Sequence, residues 1–218
     1  MQEIVQNHPE CINQALGNIK LHWISPLKPN YQEYQLRSTE IIERIWKSSK
    51  NKDLFHKDFW PSMGRNPEWD GIAIDGTTLY LFEAKSHKSE VKGYKYVSNE
   101  LIKQTLENTF KKINENNDEI NKTAWFKSYY QYANRLAFLT RFNDFIGTAD
   151  ITIKNVILVF LDFVNDPTMK EYNDVPKNEN EWVTFYENEV YPEMNISKEK
   201  LQSIGVKHIH IDVSNINA

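Results

Sequence analysis

The stretch WDGIAIDGTTLYLFEAKSH, residues 69–87, constrains this chain more than any other. Two apolar runs flank Asp75-Gly76, a dipeptide suited to a tight β-turn, so the segment reads as a β-hairpin over 69–85. With Gly76-Thr77 at the tip, Ile74 faces Leu79, Ile72 faces Leu81 and Asp70 faces Glu83. Lys85 lies two residues beyond Glu83 and shares its face, while Ala84 turns the other way with Phe82 and Tyr80. Two carboxylates and an ammonium therefore meet at one end of an apolar surface. Burying a charge costs several kcal/mol unless it is paired or holds an ion, so something must compensate them.

Two carboxylates this close repel, and one takes up a proton unless a cation sits between them. An all-oxygen site suits a hard divalent ion, Mg²⁺ or Mn²⁺, that keeps several of its waters. Beside it, Lys85 can hold or deprotonate a bound water, or stabilise charge developing on a phosphate. The spacing thus predicts a small metal site suited to phosphodiester hydrolysis.

The 218 residues favour one α/β domain, with ordinary shares of apolar (40%) and charged (26%) side chains. No window approaches the ~18 unbroken apolar residues of a membrane span, so no membrane is expected. MQEIVQNHPE does not read as a signal peptide, and Cys11 is the single cysteine. These features favour the cytoplasm. The net charge of −4 argues against a broad nonspecific nucleic-acid surface but allows a local basic groove.

Residues 1–30 read as a weakly helical extension, 31–50 as a helix and 53–60 as a short strand. After the hairpin come helices over 98–113 and 123–146 and a buried strand over 155–163. A long exposed loop follows over 165–182, then a helix over 197–205 and a last strand over 206–213. The order predicts a mixed central sheet with helices on both faces. No phosphate loop, dinucleotide turn, serine elbow or zinc-protease helix is present in the sequence.

Asp70, followed thirteen residues later by Glu83-Ala84-Lys85, resembles the signature of the PD-(D/E)XK nucleases on a restriction-endonuclease-like core. Trp69 stands where that pattern has its proline. FWP (59–61), WDGIAI, FEAKSH and YYQYANRLAFL (129–139) further resemble a largely uncharacterised bacterial branch of that superfamily. The resemblance implies a three-layer core over about 31–165, with 166–218 adding a terminal helix and strand to a single nuclease-like domain. It implies Asp70 and Glu83 as metal ligands, with the Ala84 carbonyl completing the site and Lys85 positioning the attacking water. A further acid from the first helix is Glu43, preferred over Glu40. The implied substrate is nucleic acid, DNA ahead of RNA, with a homodimer among the assemblies that cut two strands.

Around this core, Lys88, Lys92 and Lys95, with Tyr94 and Tyr96 among them, read either as a phosphate-contacting rim or as a solvated loop. His87 reads as a phosphate ligand or auxiliary base, or as a structural histidine. Gln131, Asn134 and Arg135 make one polar helical stripe. Gln131 is its candidate for orienting water and Arg135 for contacting nucleic acid. Trp125, Phe126, Tyr129 and Tyr130 read as core. His208 and His210 alternate on one strand face and read as surface histidines, because no third zinc ligand is evident. The competing reading of the whole is a catalytically silent nucleic-acid-binding or scaffold protein on the same fold.

Overall fold

The structure, a computed structural model, describes residues 1–46, 49–62, 66–115, 119–147, 151–214 and 216, with main chain alone at 39–40, 42 and 49–52. Among these residues the strands are β1 (His22–Ser25), β2 (Tyr34–Gln35), β3 (Glu68–Trp69), β4 (Gly71–Asp75), β5 (Thr78–Lys85), β6 (Asn155–Val164) and β7 (Val206–Asp212). The α-helices are α1 (Gln2–Asn7), α2 (Pro9–Ala15), α3 (Thr39–Ile45), α4 (Ser49–His56), α5 (Glu100–Ile113), α6 (Tyr130–Phe145), α7 (Glu179–Phe185), α8 (Tyr191–Met194) and α9 (Lys198–Ser203). One five-stranded sheet runs β1-β4-β5-β6-β7, and β2 pairs with β3 beside it. The first three strands of the large sheet are antiparallel and the last three parallel.

The hairpin has the register that its turn dictates. Ile72 pairs with Leu81, Ile74 with Leu79 and Asp75 with Thr78, and Gly76 takes the positive φ (+58°) that the bend requires. Alternation along β5 then sorts its side chains into two cores. Leu79 and Leu81 join Leu158, Phe160, α5 and α6, while Tyr80, Phe82 and Ala84 join Val159, Leu161, Ile209, α1 and α2. The result is a mixed sheet covered by helices on both faces.

α5 starts at Asn99, whose side chain accepts the Ile102 amide, and buries Leu106, Phe110 and Ile113 along one stripe. α6 is buried nearly all round, from Tyr132 to Phe142. Trp125, Phe126 and Tyr129 are core, and Tyr130 is half-buried.

Four segments differ from the sequence reading. Residues 53–56 end α4 and 57–60 form a turn in place of the expected strand: Phe55 and Phe59, four residues apart, turn inward together. Phe55 packs on Phe142 at 4.6 Å and Trp60 on Phe138 at 5.0 Å. Residues 31–38 are not helical, because Tyr34 and Gln35 pair with Trp69 and Glu68. The segment 165–182 holds the start of α7, capped by Asn178 and anchored by buried Trp182, whose indole donates to the Phe163 carbonyl at 2.8 Å. The first 30 residues are also more than an extension, since β1 is an edge of the main sheet and α1–α2 cover its second face. Among the described residues no helix is long and apolar enough to cross a membrane.

Leu81 is fully buried in the middle strand, so Leu81→Ala is expected to cost about 2–5 kcal/mol. Thr77→Ala at the exposed tip should stay within about 0.5 kcal/mol. Urea unfolding of both variants measures the contrast.

Candidate functional site

The hairpin register brings Asp70, Glu83 and Lys85 to the end of β5. Asp70 sits in the bend between β3 and β4, and its Oδ2 accepts the Ala84 amide at 2.7 Å. Glu83 is 1% exposed and Lys85 6%, with Lys85 Nζ 2.6 Å from Glu83 Oε1. Burial on its own pushes the Glu83 carboxyl up, but the Arg135 and Lys85 cations outweigh it and hold the group below its usual range. Lys85 is subject to the opposite pair of forces. Burial lowers it, and the Glu83, Glu90 and Asp70 carboxylates raise it further than burial lowers it. It therefore stays an ammonium near neutral pH, suited to stabilising charge and not to taking a proton from water.

The second cation on Glu83 comes from α6. Arg135 Nε and Nη2 both lie 2.6 Å from Glu83 Oε2, and Nη2 also donates to the Glu68 carbonyl at 2.6 Å. The guanidinium lies over the Trp69 ring, 4.4 Å from its centroid. Four residues before it, Gln131 Oε1 accepts from Lys85 Nζ at 3.2 Å. The polar stripe of α6 thus faces the hairpin, with Gln131 on Lys85 and Arg135 on Glu83. Arg135 is 3% exposed and spends its donors inside the fold, so it is not a rim cation for nucleic acid as the sequence suggested.

An open cavity of about 450 Å³ borders the site, lined among others by Glu33, Glu68, Asp70, Gln131 and Arg135. Glu83 and Lys85 lie behind it, against Tyr132 and Phe160. Asp70 is the acid that reaches the opening. Burial first, and then the Glu83 charge, push its carboxyl from the ordinary 3.8 up to about 7. Glu33 at the cavity mouth is raised as well, by burial and then by Glu68 and Glu83. The site is richer in carboxylates than in cations on its Asp70 side.

The remaining candidates divide. Glu43 is exposed on α3 and does not line this cavity, whereas Glu33, just before β2, and Glu68, in β3, do. Sequence reasoning missed both, because the pairing of the two-residue strands β2 and β3 places them and no periodicity marks so short a run. Glu40 lies among the residues described by main chain only. His87 is buried and stacks on Tyr172 at 3.9 Å, with Nδ1 3.6 Å from Asp174, so it packs inward instead of facing a ligand. Lys88 is half-buried; Lys92 is exposed and ion-paired with Glu189 at 2.8 Å; Lys95 is exposed between exposed Tyr94 and Tyr96. His208 and His210 are not surface residues: both are half-buried against Asp162.

The donor chemistry fits a hard divalent ion. Asp70 and Glu83 supply carboxylates, and Ala84 turns its main chain toward Asp70. Among the described residues no set of three or more His, Cys, Asp or Glu side chains converges, and Asp70 and Glu83 are the two carboxylates at this place. A pair of that kind would suit a hard ion that keeps most of its waters. It carries one condition: Glu83 has to exchange its contact with Arg135, or share it, before binding an ion. No protein-family model, curated protein or solved structure matches the chain.

Because the folded state binds the Asp70 proton more tightly than the unfolded chain does, stability is lost as pH rises from near 3.8 to about 7. Asp70→Asn should abolish that loss, as read by melting temperature across the range. In wild type, the side-chain carbon of Asp70 followed by NMR should titrate near 7. Saturating Mg²⁺ should move that midpoint well down. An unchanged midpoint would mean that Asp70 does not face the ion.

Proposed function

We propose that this protein is a divalent-metal-dependent nuclease of the PD-(D/E)XK type, hydrolysing phosphodiester bonds, DNA ahead of RNA. The observation that carries the reading is the meeting of Asp70, Glu83 and Lys85 at one end of β5, with Asp70 left short of positive charge beside an open cavity. A mixed five-stranded sheet flanked by helices and the resemblance of the D…EAK motif support it. Both are analogies of pattern, and function rests on the site.

Mg²⁺ or Mn²⁺ held by Asp70 and Glu83 would activate a water and offset charge on the scissile phosphate. Around it each residue has a defined task. Lys85, kept protonated, stabilises the negative charge that grows on the phosphate oxygens. Gln131 fixes the Lys85 ammonium through its amide oxygen. Arg135 neutralises Glu83 in the metal-free fold and, lining the same cavity, would remain beside a phosphate bound there.

The second reading is a catalytically silent protein on the same fold, and one observation favours it. Glu83 already has a cation on each oxygen, so the apparent need for a metal is met within the protein. Replacing one member of such a buried set costs about 3–5 kcal/mol, which is reason enough to keep it without catalysis.

Incubation of the pure protein with mixed DNA and RNA, in Mn²⁺ or in EDTA, separates the two readings. The nuclease reading expects Mn²⁺-dependent cleavage that Lys85→Met and Asp70→Asn each reduce by at least about 10²-fold. Both variants must keep a cooperative melt. No cleavage, together with no rise in melting temperature on adding Mn²⁺, leaves the silent reading.

A further inference from the structure

A second cavity lies away from this site, along β7. It holds about 500 Å³ and is lined by six consecutive residues, Gly205 to His210. Side chains of a strand alternate between faces, so six in a row cannot all line one cavity through their side chains. Here Val206 belongs to the core with α5 and α6, and Ile209 to the opposite core. The cavity therefore follows the free edge of β7, the last strand of the sheet.

The hydrogen-bond parity shows what that edge presents. Leu158 N donates to the Gly205 carbonyl at 2.9 Å, and Val213 N to the Val164 carbonyl at 3.0 Å. Odd-numbered residues of β7 therefore turn their main chain inward to β6. The amides and carbonyls of Val206, His208 and His210 point out into the cavity, and no hydrogen bond described in the structure uses them. Such a row is a template for an added strand.

The walls decide which kind of strand. Ala15 of α2 stands on one side, and Val183, Leu201 and the Tyr186 and Tyr191 rings stand on the other. The edge thus lies at the bottom of a groove, which blocks the edge of another folded sheet but admits a single extended chain. Within the groove Lys198 is tied to Glu187 at 2.8 Å. Glu179, with a side chain 68% exposed, stands at the His210 end, 3.4 Å from the His210 imidazole. The opposite nitrogen of that imidazole is buried without a hydrogen-bond partner.

We propose that this groove docks an extended segment of another protein, which adds a strand to β7, sets an apolar side chain against half-buried Val183, and places a basic side chain on Glu179. The proposal is independent of the metal site, and either can fail alone.

Three capped, labelled hexapeptides test it against the full chain by NMR titration: TVTVKT, TVTVET and the proline control TPTPKT. TVTVKT should saturate and slow exchange of the His208 and His210 amides by at least about tenfold, leaving Lys207 and Ile209 unchanged. TVTVET should bind about fivefold more weakly, a step on the scale of one exposed ion pair. The Glu179→Lys variant, altered at an exposed position, should reverse that order. Equal binding of TPTPKT and TVTVKT would overturn strand addition. So would no saturable binding by any peptide, or self-association of the chain that protects the same amides.

Discussion

A single buried carboxylate organises the centre of this fold. Glu83 lies in the middle strand of the sheet, is sealed from water, and tolerates that position only because β5 and α6 each bring it a cation. Lys85 is fixed by strand alternation, two residues on. Arg135 is fixed by the docking of α6, which is buried along most of its length. The pairing therefore couples the hairpin to the helix layer above it. Buried ion sets are weak stabilisers compared with apolar packing of the same volume. Their presence in an otherwise hydrophobic core is thus better explained by a requirement for charge at that place than by stability.

The same face of the sheet carries a second polar group. Lys85 pairs in register with Asp162 on β6, and Asp162 with His210 on β7. Asp162 is fully buried, accepts the Tyr186 hydroxyl at 3.0 Å and lies 3.0 Å from His208 Nδ1. The far nitrogen of His208 meets the Tyr132 and Tyr191 hydroxyls at 3.3 and 3.2 Å. Burial raises all three tyrosines, so they remain hydrogen-bond donors. Tyr132 stacks on Phe160 at 4.2 Å and stands between the two clusters. Asp162, His208 and the three tyrosines satisfy one another; the first cluster is not closed in this way, because Asp70 has a surplus of negative charge and an open side.

Legibility in the sequence followed the range of the forces involved. The hairpin register could be read because Asp75-Gly76 and strict alternation are local, and the convergence of Asp70, Glu83 and Lys85 followed from it. The Gln131–Arg135 stripe could be read as a stripe, but the partner of Arg135 depends on how α6 docks. Glu33 and Glu68 reach the cavity through chain paths that no short-range pattern encodes. The strand expected at 53–60 failed because Phe55 and Phe59 satisfy either periodicity over so short a run, and packing against Phe138 and Phe142 selected the helix. Asp162 carried the signal that marked Glu83, a lone acid in an apolar strand, and its burial with His208 and His210 was open to the same reasoning.

In the proposed function Asp70 and Glu83 would together hold a divalent ion, while Arg135 pairs with Glu83 in the metal-free fold. Anomalous diffraction from crystals grown with Mn²⁺ is the direct test. The expected result is one ion beside Asp70 and Glu83, with the Arg135 guanidinium no longer paired with Glu83. Crystals saturated with Mn²⁺ that show no ion there, and Arg135 still clasping Glu83, would contradict it.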